Sequence, residues 1–263
     1  MKLWLGDTLL DEAEARIAPS DRGFTLGDGL FETMQVRRGV IARLPAHLAR
    51  LGRGAAVIGL PLPPLDLEAR AAALLEANGL EDAVLRLTLT RGSGPRGVLP
   101  PAVPTPTLVL TAAPLPGPMP PARLIIAQGT RRNERSPLSG IKSLNYLDNI
   151  LARQEAATAG ADDAVLLNTQ DRLAETTIAN LFAVIDGELV TPPVSDGALP
   201  GVMRADLLAH GARERPLTEA DLLSASELFL SSSLGLRPVR ALGARDLPEG
   251  PAAAARLAPL LGL

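Results

Sequence analysis

The chain of 263 residues has no cysteine, two lysines and six aromatic residues. Without cysteine there are no disulfides, no thiolate metal sites and no cysteine nucleophile, and the composition fits a reducing compartment, so a cytoplasmic location is expected. The two histidines, His47 and His210, are far apart, which argues against a zinc site or a serine–histidine triad, and no metal is expected. No stretch approaches the roughly 18 apolar residues of a membrane helix. Residues 1–6, with a three-residue apolar stretch, do not read as a secretory signal. Neither charge sign dominates: 26 basic residues against 29 acidic give a net charge of −3. No general attraction to nucleic acid follows, and neither nucleic acid nor a membrane is expected as a partner.

What is present is an ordinary globular composition, 46% hydrophobic and 21% charged. The length allows one large domain or two small ones with a substantial core. Residues 3–5 and 8–10 flank Gly6-Asp7, a hairpin signal. The spacing predicts a helix over 45–59, with Leu48, Leu51, Ala55 and Ile58 on one face, and a second over 67–77 ending at Asn78-Gly79. Residues 83–91 alternate Leu85, Leu87 and Leu89 against Arg86, Thr88 and Thr90, a half-buried strand. Strands follow at 107–112 and 123–127. Between them PLPGPMPP (114–121) holds five prolines in eight residues and can form neither helix nor central strand. Beyond it come a helix over 145–159, a strand over 164–168, a hairpin of 180–185 with 188–191 around Asp186-Gly187, a helix over 202–210 and a strand over 227–231. No internal repeat is visible. The expected organisation is mixed α/β (α+β): an N-terminal lobe (1–113), a proline-rich linker (114–121) and a C-terminal lobe (122–263) carrying Lys142.

Of 26 basic residues, 24 are arginine; the lysines are Lys2 and Lys142. Arginine replaces lysine as a surface cation but forms no imine and is no base near neutral pH. A lysine retained against that bias points to amine chemistry, with a leftover surface cation as the alternative.

The blocks around it settle on a resemblance. DRGFTLGDGLFET (21–33), HLARL (47–51), TRGSGPRG (90–97), GIKSLNYL (140–147), LAETTIANLF (173–182), ALPGVMR (198–204) and SSSLGLRPV (231–239) occur in the order seen in class IV, or fold type IV, pyridoxal-phosphate (PLP) enzymes. This family includes branched-chain and D-amino-acid aminotransferases and aminodeoxychorismate lyase. The resemblance implies a two-lobed fold type IV structure, PLP as cofactor, a homodimer and a carboxylate-bearing amine as substrate. It places Lys142 as the lysine that the cofactor's aldehyde engages, Glu175 opposite the pyridine nitrogen and Arg50 on the phosphate. Leu199, Val202 and Met203, at the opening of a helix, offer backbone donors to an anion. Ser232 and Ser233 add hydroxyls, or are simply turn formers. Tyr146 faces the cofactor's phenolic oxygen, or is a core aromatic. His47, one turn from Arg50, reads as structural.

TRGSGPRG lacks the lysine and Ser/Thr of a nucleotide-binding P-loop. In the family it meets the substrate carboxylate, which assigns Arg96, whose guanidinium suits bidentate binding, and Arg91, for which a structural role is the alternative. The histidine typical of D-amino-acid aminotransferases is missing, since Arg96 is followed by Gly97 and Val98. The blocks lean toward aminodeoxychorismate lyase: by analogy Lys142, displaced by the substrate amine, removes the C4 proton and pyruvate leaves, giving 4-aminobenzoate. Thr33 sits near that transfer, or is an ordinary strand threonine. An aminotransferase for D-amino acids, branched-chain amino acids or amines is the alternative. A non-catalytic binding protein is a third reading, against which Lys142, Glu175 and Arg50 argue.

Overall fold

Gly6, with φ +57°, closes the first hairpin. In the computed structural model, which describes residues 1–247 and 252–262, β1 (Lys2–Leu5) pairs antiparallel with β2 (Thr8–Asp11). A short helix α1 (Arg22–Leu26) leads into β3 (Gly29–Arg37) and β4 (Val40–Ile41). Helices α2 (Leu44–Ile58) and α3 (Leu67–Asn78) follow, each ended by a left-handed glycine, Gly59 and Gly79. With β5 (Ala83–Thr90) and β6 (Thr107–Pro114) the strands form a six-stranded sheet of order β2-β1-β6-β5-β3-β4. Leu85, Leu87 and Leu89 are buried in one core with Leu51 and Ala55 of α2 and Leu74 and Leu75 of α3. Strand β5 departs from simple alternation at Thr90, buried because its hydroxyl donates to Asp21 Oδ2 (2.9 Å).

The chain divides into two units, the first Met1–Gly117 with Ile141–Asn145, the second Pro118–Gly140 with Tyr146–Leu263. This corrects the expected C-terminal lobe, because the segment carrying Lys142 belongs to the first unit. The reason is an open sheet edge. Strand β4 spans two residues and pairs only with Val36 and Arg37, leaving the start of β3 uncovered. Phe31 N–H donates to Lys142 O and Leu144 N–H to Gly29 O, each at 3.0 Å, so residues 142–144 take that edge. Pro114, expected in the linker, instead ends β6.

In the second unit, β7 (Ala122–Ile126), helix α4 (Leu147–Thr158), β8 (Asp163–Leu167) and β9 (Leu173–Thr176) come first. The hairpin β10 (Asn180–Ile185) and β11 (Glu188–Thr191) turns on Asp186 (φ +53°) and Gly187 (φ +79°), the two positive φ values such a tight turn requires. Then come α5 (Val202–Ala209), β12 (Arg213–Glu214), α6 (Glu219–Ser224), β13 (Glu227–Ser232), β14 (Gly235–Leu242), β15 (Arg245–Asp246) and α7 (Ala252–Leu260). The sheet runs β12-β11-β10-β13-β14-β7-β8-β9, with β15 on β14. Every residue of β8 is buried, as suits a strand covered on both faces. Phe182 and Phe229 stack at 5.1 Å and pack with Met203 and Leu207 of α5. The result is a mixed α/β fold, and among the described residues no helix is long and apolar enough to cross a membrane.

Candidate active site

In the first unit the alternation of β3 sends successive side chains to opposite faces. One face carries Phe31 and Thr33. Across the ladder Thr33 stands opposite Arg86 of β5. The Arg86 guanidinium carbon lies 3.9 Å from the centre of the Phe31 ring, and Lys142 Nζ lies 4.2 Å from it. One aromatic ring thus faces both the lysine and a guanidinium, each attracted by its negative π face. Arg86 is exposed, as the half-buried alternation of its strand predicts, but the sequence does not single it out as a site residue. The available signal was its register opposite Thr33.

The other face of β3 presents Glu32, buried against α2. Its carboxylate accepts Arg50 Nε at 2.8 Å and Arg50 Nη2 at 2.6 Å, and His47 Nδ1 lies 2.7 Å away. Burial pushes the Glu32 carboxyl up, but the hydrogen bonds and charges of Arg50 and His47 outweigh it and hold the group below the usual carboxylate range. Arg50 is thereby fixed in orientation, and His47 helps hold the same carboxylate. Glu32 was not singled out from the sequence; its spacing to an H-x-x-R helix was the only hint.

Of the two readings of Arg91, substrate ligand or structural residue, its contacts support the structural one. Its Nε donates to Asp28 Oδ2 (2.8 Å) and its two terminal nitrogens to Gly59 O (2.8 Å) and Ile58 O (2.6 Å). All three of its nitrogens are engaged at the end of α2 and at Asp28, and the residue is 4% exposed. Arg96, by contrast, is exposed on the loop after β5.

In the second unit Glu175 sits in β9, nearly buried. Its Oε1 lies 3.1 Å from Arg132 Nη2, and its Oε2 accepts Leu199 N–H (3.0 Å) and Asn180 Nδ2 (3.4 Å). Three donors thus converge on one buried carboxyl and fix its orientation. Arg132 also reaches Ser139 O and Gly197 O. Glu175 is therefore no solvated turn carboxylate. Leu199 bears on this site through its backbone, since its N–H holds Glu175 and its carbonyl accepts Asn180 Nδ2 (2.9 Å).

Helix α5 starts at Val202 behind Gly201, which supplies no side-chain cap. A Cβ on Gly201 would lie 2.1 Å from Asn180 Oδ1, so any larger residue must displace the Asn180 amide. No side chain caps the first N–H groups of this helix, the position from which Val202 and Met203 are expected to offer backbone donors. Both side chains point into the protein interior, so the backbone is what they can offer. Ser232 Oγ accepts Leu234 N–H (3.2 Å), which supports its reading as a turn former. Ser233 is half-buried. Neighbouring Ser231, passed over in the sequence, has a buried hydroxyl without a protein partner among the described residues. Tyr146 is half-buried just before α4, its carbonyl accepting Ile150 N–H, and does not belong to a core cluster.

Residues 29–242 match the family described as Amino-transferase class IV. A protein of Methanocaldococcus jannaschii, provisionally named a branched-chain-amino-acid aminotransferase, is 35% identical over 89% of this chain and 84% of its own. A D-alanine aminotransferase of Bacillus licheniformis is 29% identical over 95% of this chain and 91% of its own. The crystal structure of 4-amino-4-deoxychorismate lyase from Pseudomonas aeruginosa superimposes with a TM-score of 0.85 at 36% identity, covering 98% of this chain and 97% of that one.

Proposed function

The chain belongs to the class IV aminotransferase family of fold type IV, PLP-dependent aminotransferases and lyases, and from that premise we propose that it is an aminodeoxychorismate lyase, releasing pyruvate from 4-amino-4-deoxychorismate to give 4-aminobenzoate. The residues present suit the cofactor. Glu175, held by Arg132, Leu199 and Asn180, suits the ring nitrogen. The uncapped start of α5 behind Gly201 and Arg50, held by Glu32, match a phosphate. When bound, PLP supplies an electron sink.

The chain's own groups then have separate tasks. Lys142 would anchor the cofactor and afterwards carry a proton from the substrate's C4, with Thr33 on the Phe31 face of β3 as a hydroxyl for the same transfer. Arg96 would bind a substrate carboxylate. The observation that carries the lyase reading is Arg86. A second guanidinium at the ring shared with Lys142 suits an amine-bearing substrate that itself has two carboxylates, which aminodeoxychorismate has and D-alanine or a branched-chain amino acid lacks. The 36% identity with the Pseudomonas aeruginosa lyase supports the same choice over 2-oxoglutarate-linked transfer.

The second reading is an aminotransferase between an amino acid and a 2-oxo acid. The similarity to proteins named branched-chain and D-alanine aminotransferases favours it. The purified protein with PLP is incubated with aminodeoxychorismate, and separately with D-alanine and 2-oxoglutarate. Formation of 4-aminobenzoate is expected; rapid transamination with none formed would overturn the proposal. A homodimer is part of the same proposal and is read by sedimentation.

A further inference from the structure

Arg22 is a buried cation that the chemistry above leaves without a task. It lies in the five-residue helix α1, 4% exposed. Its Nη1 donates to Gly97 O (2.9 Å), its Nη2 to Val98 O (2.8 Å) and its Nε to Asp28 Oδ2 (2.8 Å). Two successive carbonyls of the loop after β5 are therefore gripped by one planar fork. The loop's own side chains anchor it little, for Val98 is 84% and Leu99 81% exposed. Gly94 leaves room for the arginine stem, since a Cβ there would lie 3.0 Å from Arg22 Cδ.

Asp28 makes this grip part of a longer chain of contacts. The oxygen that accepts Arg22 Nε also accepts Arg91 Nε, and Arg91 in turn holds the carbonyls of Ile58 and Gly59. Those carbonyls end α2, the helix that carries His47 and Arg50.

We propose that Arg22 is a positioning residue for substrate recognition: by holding the carbonyls of Gly97 and Val98 it fixes where Arg96, the residue directly before them, presents its guanidinium to the substrate carboxylate. Asp28 sets that position relative to the helix bearing Arg50. The inference rests on the assignment of Arg96 made above.

The test is Arg22→Lys in the PLP-loaded protein, because an ammonium keeps the charge but cannot hold two carbonyls and Asp28 as a fork does. KM for aminodeoxychorismate (or D-alanine, if that is the substrate turned over) is expected to rise about tenfold with kcat within about twofold. Cofactor affinity, read by absorbance titration, stays unchanged. Trypsin cleavage at the exposed Arg96–Gly97 bond accelerates severalfold. Gly94→Ala, which presses on the Arg22 stem, shifts KM and cleavage in the same direction and serves should the lysine variant fail to fold. Unchanged KM and cleavage, or a parallel loss of kcat, cofactor affinity and thermal stability, would overturn the proposal. Arg96→Ala separates the two levels. If it raises KM while Arg22→Lys does not, Arg22 has no positioning role and the Arg96 assignment survives; if it leaves KM unaltered, both fall.

Discussion

Replacing Glu32 by glutamine removes one negative charge from a site where Glu32, His47 and Arg50 are all at least 95% buried. The carboxylate serves two bonds from Arg50 and one from His47. Breaking a buried ion pair at one partner costs about 3–5 kcal/mol, because the remaining charge keeps its desolvation penalty. Glutamine retains one acceptor oxygen, so the expected loss is about 2–4 kcal/mol at neutral pH. The pH dependence has a definite sign. The Glu32 carboxyl lies below its ordinary value in the folded protein, so its contribution is complete above the unfolded pKa of roughly 4.3 and disappears as pH falls through the folded value. Urea unfolding of both proteins, followed by circular dichroism at pH 7 and at stepwise lower pH, should show a gap in midpoint that narrows in acid. PLP affinity should fall as well, since Arg50 loses its orienting partner. A gap below about 0.5 kcal/mol at pH 7, within the ordinary scatter of surface substitutions, or one that widens on acidification, would refute the reasoning.

Lys142→Ala should abolish the visible absorption band that PLP gives in the wild type; a retained band would remove Lys142 from its assigned role. Arg132→Met leaves the Glu175 carboxylate without its cation, and a loss of roughly 3 kcal/mol in urea unfolding is expected, together with weaker PLP binding in an absorbance titration. Gly201→Ala places a methyl against Asn180 Oδ1 and should lower stability by about 1–3 kcal/mol, with calorimetry as the measurement; an unchanged melting temperature would show that the loop yields freely. Arg91→Lys, which loses the fork on Ile58 O, Gly59 O and Asp28, should lower stability by about 1–3 kcal/mol in urea unfolding; an unchanged midpoint would show that these bonds are not needed for the fold.

The elements legible from sequence are those whose signals are local. Both hairpins follow from a turn dipeptide with alternation on each side, and α2 and α3 end where Gly59 and Gly79 permit positive φ. Strand β3 was harder to recognise because Glu32 sits at an inward position and looks polar, although its partners on α2 lie 15 and 18 residues away. Sequence could not choose between the two readings of Arg91 for a similar reason: its acceptors at Ile58 and Gly59 are 33 and 32 residues away. Arg86 is a solvent-facing strand residue, as its alternation says, and its place opposite Thr33 with the guanidinium over Phe31 depends on a strand pairing that no local signal carries. Lys142, the rare lysine, and Glu175 were conspicuous in sequence. Arg132, Asn180 and Leu199, which hold Glu175, were not brought together by any spacing.

The assignment of Ile141–Asn145 to the first unit bears on how this protein is made and divided. A ribosome that has released Gly117 has delivered every strand of the first sheet, yet β3 still lacks the backbone partners that residues 142–144 supply. That edge is completed only after the proline-rich stretch and a further twenty-odd residues have emerged, so closing it joins chain segments more than a hundred positions apart, a slow class of contact. A fragment cut at the linker should therefore keep an exposed strand edge and self-associate. The lysine arrives with the strand segment that seals this edge, so no truncation at the linker yields a first unit that is both sealed and free of Lys142.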